Sequence, residues 1–196
     1  MNRSKAPNAN DRRQIGATLK KLQEGYDNRD LTQIERFMAE VFVRDDDLLV
    51  IGTSAVAYDS GEWCQGYDAV KALIEDDWKY WGDLKLDIGG ARISFAKDTA
   101  CVSLTGVISE VITSEDYYNL RTDLVKELLE TDDLPIRTRL LEIVRGVSDT
   151  LYETEKGEQY EWPLRLSGVM QRHPDRWLFT HMHFSYPTTF YPRVRF

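Results

Sequence analysis

The chain has 196 residues, 42% of them hydrophobic and 30% charged, which suits one compact domain of ordinary size carrying an insertion, or at most two small ones. With 33 acidic against 25 basic residues and a formal net charge of -8, it has no general attraction for phosphate backbones or anionic lipid, so neither nucleic acid nor membrane is an expected partner. No stretch approaches the roughly 20 apolar residues of a membrane helix, and Met1 to Arg13 is polar without the apolar run of a signal peptide, so a cytoplasmic location is expected.

Asn10 or Asp11 offers a cap for a first helix, in which Ile15, Leu19, Leu22 and Tyr26 recur at helical spacing and Gly25 marks the end. A second short helix starts near Asp30 and turns Leu31, Ile34, Phe37, Met38 and Val41 to one face. Leu48 to Ile51 reads as a buried strand ended by Gly52, and Asp59, Ser60 and Gly61 supply a hairpin turn. After Gly66 a third helix aligns Val70, Leu73, Ile74, Trp78 and Trp81, with both tryptophans expected toward the sheet.

Leu84, Leu86 and Ile88 alternate in a strand that bends at Gly89 and Gly90 and resumes over Arg92 to Phe95. Lys97 and Asp98 turn the chain into a strand over Thr99 to Ile112, with Cys101, Ser103, Thr105 and Val107 on one face. Helical stripes at Leu120, Leu124, Leu128 and at Ile136, Leu140, Ile143, Val147, separated by Pro135, make Thr113 to Ser148 a helical insertion. Tyr160 to Arg172 is a strand that hairpins through His173, Pro174 and Asp175 into a final one. Strict alternation in that last strand groups Trp177, Phe179, His181, His183 and Ser185 against Leu178, Thr180, Met182 and Phe184. Large side chains on both of its faces imply a second cover such as another subunit. Cys64 and Cys101 lie far apart without metal or redox spacing and are expected to be reduced, packed thiols.

This order is α+β. Together with Tyr26, Asn28 and Asp30 (YDNRD), Ile51 to Thr53 (IGT), Gly66 to Trp78 (GYDAVKALIEDDW), Ala100 to Ser103 and Trp177 to Ser185, it resembles the SnoaL-like branch of the nuclear transport factor 2-like superfamily, of bacterial type. More distantly it is similar to the association domain of calmodulin-dependent kinase II, whose last strand is also Trp-rich with an HxH. The resemblance covers Asp11 to Pro187 apart from residues 113–148. It implies a single domain over residues 1–196: a cone-shaped, bent antiparallel sheet with three N-terminal-half helices on its concave face, plus the insertion. It also implies a pocket and homodimerisation through the outer sheet face. Such folds host isomerases, dehydratases, cyclases and non-catalytic assembly domains, so activity has to come from the site.

The catalytic candidates are His181, His183, Asp77 and Tyr26. The histidines lie about 7 Å apart on one strand face, suited to one ligand or to proton transfer near neutral pH. A third metal ligand does not accompany them, so no metal and no cofactor are expected. Of Glu75, Asp76 and Asp77, helical geometry turns at most one inward, and an inward Asp77 would be a base with a raised pKa. Tyr26 would donate to a developing oxyanion, as the resemblance to isomerases implies. Ligand-binding candidates are Tyr26, Trp63, Trp78, Ser103, Arg165, His181 and His183; an inward Arg165 would require an anion. Two readings remain open: a homodimeric domain with a pocket for a small, largely apolar molecule, which is favoured, and a cofactor-independent isomerase, dehydratase or cyclase working by general acid and base catalysis.

Overall fold

A computed structural model describes residues 9–187 except 56, 57, 59, 60, 112, 132, 133 and 156. Two units emerge, Met1–Ile108 with Trp162–Phe196, and Ser109–Glu161. In chain order the elements are α1 (Ala9–Asn28), a 3-10 turn (Leu31–Gln33), α2 (Ile34–Val41), β1 (Leu49–Ile51), β2 (Trp63–Gln65), α3 (Tyr67–Tyr80), β3 (Asp83–Leu86), β4 (Arg92–Ala96), β5 (Thr99–Val111), α4 (Ser114–Glu130), α5 (Ile136–Thr154), β6 (Gln159–Arg172) and β7 (Trp177–Ser185).

In the first unit the apolar stripe of α1 is fully packed: Ile15, Leu19, Leu22 and Tyr26 join Met38, Val70 and Ile74 of α2 and α3 and the sheet residues Val102, Leu166 and Met182 in one core. Gly25 lies inside α1 and not at its end, because a Cβ there would collide with the Phe37 ring. The chain leaves the helix at Arg29, which adopts a left-handed φ of 49°. Asp30 then caps the 3-10 turn by accepting from the Thr32 amide at 2.9 Å. Asp11, expected as a cap, is instead buried in a two-bond ion pair with Arg172 at 2.6 and 3.2 Å, which fastens α1 to the end of β6.

Strand order is β2-β1-β7-β6-β5-β3, with β4 also pairing β5, so the bent strand expected over Leu84 to Phe95 is two strands along one edge of β5. The sheet is mixed and not wholly antiparallel: β1 comes from the end of α2 and runs parallel to β7. Of the expected β1–β2 turn, Asp59 and Ser60 lie outside the described residues, while Gly61 has a φ of 61°.

Strict alternation in β7 is broken. Val169 pairs with His181 but Met170 pairs with Phe179, leaving Thr180 as a bulge. Its hydroxyl donates to the Val169 carbonyl at 3.2 Å. Trp177 and Phe179 therefore share the core side with Met182 and Phe184, all at most 2% exposed, and the histidines take the opposite side. Gly168 makes room for this, since a Cβ there would strike the Phe179 ring.

The second unit is an antiparallel helical hairpin. Thr113 caps α4 by accepting from the Asp116 amide at 3.1 Å, and α5 starts directly after Pro135. Its helices are held by polar contacts: Tyr117 to Glu153, Arg121 Nε to Thr150 Oγ1 at 2.8 Å, and Arg139 to the Leu129 and Thr131 carbonyls. A Cβ at Gly146 would strike the Arg121 guanidinium. The helical run extends past Ser148 to Thr154, and Gly157 with a φ of 101° follows it.

Candidate functional site

The sheet separates the candidates into two groups. On the helix-covered side, Tyr26 near the end of α1 and Asp77 in the last turn of α3 meet: Tyr26 Oη donates to Asp77 Oδ2 at 2.6 Å. Helical spacing explains the meeting, because Tyr26 closes the buried stripe of α1 while Asp77 follows Ile74 by three residues on the inner flank of α3. Asp76, one residue earlier, is exposed and pairs with Lys79.

Arg29 fixes the two helix ends against each other. Its guanidinium donates to the carbonyls of Tyr26, Trp81 and Gly82 at 3.1, 2.6 and 2.6 Å, taking up oxygens left free where the helices stop. Cys64 of β2 and Glu62 just before it lie on this side while Trp63 and Gln65 point away, in line with strand alternation. Glu62 is itself oriented by accepting from the Ser54 amide at 2.9 Å. A Cβ at Gly52 would occupy its carboxylate position.

Aromatic rings enclose the pair. Trp81 stands edge-on to Tyr26, centroids 6.0 Å apart, and to Phe184 at 5.7 Å, and its indole N–H donates to Tyr186 Oη at 3.3 Å. Trp78 packs edge-on against Phe37 at 4.9 Å, and its Nε1 is buried with no hydrogen-bond partner among the described residues.

These surroundings set the protonation states. Burial pushes the Asp77 carboxyl up to about 7; the hydrogen bond from Tyr26 works against that shift, and the nearby Glu62 charge adds to it. Tyr26 is raised well above its ordinary value, first by burial and then by the Asp77 charge. Burial, followed by Glu62 and Asp77, also raises the Cys64 thiol. Asp77 Oδ1 has no hydrogen-bond partner among the described residues. The arrangement is that of a carboxyl able to take or give a proton near neutral pH, with its second oxygen held by a phenol.

His181, His183, Ser103, Arg165 and Trp63 lie on the other side of the sheet. Register makes this explicit: His181 is opposite Leu49 and Val169, His183 opposite Ile51 and Ser167, Trp63 opposite Ile51, and Ser103 opposite Arg92. His181 and Ser103 border an open groove of about 470 Å³ with Arg92, Ser94, Cys101 and Ser167. Burial and the neighbouring His183 lower the His181 pKa. Arg165 is not inward: it is exposed and donates to the Tyr186 carbonyl at 2.7 Å. The histidines and the Tyr26–Asp77 pair therefore cannot act on one molecule.

Glu62, Arg29 and Trp81 complete the inner site; Trp81 was expected toward the sheet, whereas sequence reasoning assigned Glu62 and Arg29 no role there. Arg29 sits within the YDNRD segment, and its position directly after the first helix is the available signal. Glu62 directly precedes a three-residue strand, too short for alternation to reveal its face.

Helices α1 to α3 against a mixed sheet, with paired polar groups at the ends of α1 and α3, give a basis for comparison with solved structures. A protein of the nuclear transport factor 2-like superfamily from Salmonella enterica serovar Typhimurium matches with a TM-score of 0.56 at 12% identity, over 94% of this chain and 96% of its own. The chain has the nuclear transport factor 2-like fold. An NTF2-like protein from Streptomyces avermitilis, provisionally assigned as a dehydratase, matches with a TM-score of 0.55 at 13% identity, covering 90% of this chain and 96% of its own. A protein from Thiobacillus denitrificans, provisionally assigned as a calcium/calmodulin-dependent protein kinase type II association domain, matches with a TM-score of 0.50 at 14% identity, over 87% and 93%. No protein-family model and no curated protein sequence matches the chain. At these identities the likeness is one of fold. No described helix is long and apolar enough to cross a membrane.

Proposed function

We propose that this NTF2-like chain is a cofactor-independent proton-transfer enzyme of the isomerase or dehydratase type, with Asp77 as the base. The observation that carries this reading is the 2.6 Å hydrogen bond from Tyr26 to Asp77 in a largely buried setting. Asp77 Oδ1 takes a proton from a carbon next to a carbonyl, and Tyr26 keeps the carboxylate oriented through Oδ2. An isomerase returns that proton to a different carbon of the substrate. In a dehydratase it leaves with the departing hydroxyl as water. The rings of Trp81 and Phe184 favour a largely apolar molecule, and the provisional dehydratase assignment of the Streptomyces neighbour is consistent with this class of chemistry.

The test needs no substrate to begin. Carbon-detected NMR of the Asp77 carboxyl should show a midpoint near 7. An ordinary midpoint near 4 would remove the base. Deuterium exchange from solvent into a panel of unsaturated and hydroxylated ketones should then be catalysed by the wild type and not by Asp77→Asn.

A second reading concerns the outer sheet face, where a homodimer contact is proposed. Trp63 Nε1 there is buried yet has no hydrogen-bond partner among the described residues, and Leu49, Ile51 and His183 lie beside it half-buried. A second copy would cover these half-buried apolar side chains. Trp63→Arg should weaken self-association measured by sedimentation, and an unchanged association would count against the contact.

A further inference from the structure

We infer that the helical hairpin of residues 109–161 is a self-association element, whose α5 pairs antiparallel with α5 of a second copy of this chain. Apart from Leu31, Tyr58 and Tyr80, every exposed large hydrophobic side chain among the described residues lies in this unit. Helix α4 buries no residue, and α5 buries only Gly146 and Thr150. The hairpin is held in part by polar contacts between its helices, and of its apolar side chains Val125, Leu128, Ile143 and Val147 are half-buried while Ile136, Leu140, Val144 and Leu151 stay exposed.

These side chains form a stripe. Ile136, Leu140, Val144, Val147 and Leu151 recur at steps of four, four, three and four residues, which is one face of a helix. Ile136, Leu140, Val144 and Leu151 are 40–59% exposed. With Tyr118, Leu129 and Leu134 they offer on the order of 600 Å² of apolar surface per copy. That is at the top of the roughly 300–600 Å² found as the largest patch on a typical monomer, and close to the ~800 Å² per partner of a standard stable interface once a polar rim is added.

Charge identifies the occupant. Helix α5 carries Arg137 and Arg139 at its start and Glu153 and Glu155 at its end, with no acidic residue in its first turn and no basic residue in its last. This order opposes the helix's own dipole, which favours acidic residues at the start and basic residues at the end. Arg139 is accounted for by the α4 carbonyls, whereas Arg137 and Glu155 have no side-chain partner among the described residues. An antiparallel second α5 resolves both features, because it sets an acidic end against a basic one. A two-fold axis midway between Val144 and Val147 brings Leu140 against the second copy's Leu151 and Arg137 to within about one residue's rise of the second copy's Glu155. Each contact is repeated by symmetry, as an isologous interface requires.

Sedimentation velocity of the full chain at micromolar concentration tests this, with Leu140→Glu as the first variant. Leu140 is half exposed, so circular dichroism should be unchanged while the wild type sediments at a higher mass than the variant, twice as high where α5 supplies the only contact between copies. Arg137→Glu alone should weaken association roughly tenfold, since two symmetric pairs become repulsive. Adding Glu155→Arg should restore it, an outcome that a merely structural role for either side chain would not give. A Leu140→Glu chain that keeps the wild-type mass overturns the inference. So does a charge exchange that fails to restore association, or a monomeric wild type, in which case the stripe is covered within the chain or by a different partner.

Discussion

Replacing Asp77 by Asn removes a group that binds its proton more tightly in the folded chain than in the unfolded one, and stability against pH should record the change. With a carboxyl that moves from 3.8 to about 7 on folding, folding takes up a proton across that window, so wild-type stability falls as pH rises from about 4 to about 7. At ~1.4 kcal/mol per unit the full effect is roughly 4 kcal/mol, reached above pH 7, and the part expressed between pH 5 and pH 8 is roughly 2–3 kcal/mol. Asn keeps an acceptor for the Tyr26 hydroxyl and has no charge to bury, so the variant should lack this fall. Urea unfolding of both proteins at pH 5 and pH 8 measures it, and taking the difference between proteins at each pH cancels every other titrating group. Asp77→Asn should gain on the wild type by those 2–3 kcal/mol from the lower pH to the higher. A difference that stays constant would mean that Asp77 titrates as an ordinary surface carboxyl, and the case for it as a base near neutral pH would be lost.

Tyr26→Phe removes the hydrogen bond that favours the charged form of Asp77, so its NMR midpoint should rise above about 7; a midpoint that stays or falls would contradict the assigned donor. Arg172→Ala removes the two-bond ion pair to buried Asp11 and should cost more in urea unfolding than loss of an ordinary surface pair, which costs under about 1 kcal/mol; a loss no larger than that would contradict the tie between α1 and β6. His181→Ala and His183→Ala should leave deuterium exchange into any accepted ketone within about twofold of wild type, because the sheet lies between them and Asp77; abolished exchange would return the histidines to the reaction.

Where a periodic signal ran over several turns, the residues predicted their own surroundings. The α1 stripe from Ile15 to Tyr26 is buried without exception, and Trp78 lies in the core beside it. The same periodicity placed at most one of Glu75, Asp76 and Asp77 inside, and Asp77 takes that place by following Ile74 at helical spacing. Sequence could not show that Asp77 meets Tyr26, since the two are brought together by the Arg29 contacts that hold the ends of α1 and α3, and those join residues 52 and 53 positions apart. The two helices after Thr113 were legible from their stripes, but the end of the second was not, because Ser148 is no breaker and the first glycine after it is Gly157.

The histidines show how much one residue can change a functional reading. Strict alternation in β7 puts His181 and His183 on the face of Trp177 and Phe179, and those two rings are core residues. That pattern would have turned both imidazoles inward, toward Asp77 and Tyr26, and made a histidine–carboxylate site the natural conclusion. The bulge at Thr180 reverses the faces between Phe179 and His181, so the rings stay buried while the imidazoles emerge on the far side next to Ser167 and Leu49. Thr is an ordinary strand residue, and nothing in its own chemistry announces a bulge. The nearest signal is Gly168 on β6, whose missing side chain admits the Phe179 ring. A glycine inside a strand thus marked a close approach, as it often does, but on the strand opposite the one whose faces it altered. The base is therefore better sought in the inward carboxyl that helical spacing selected than in the histidine pair that strand spacing selected.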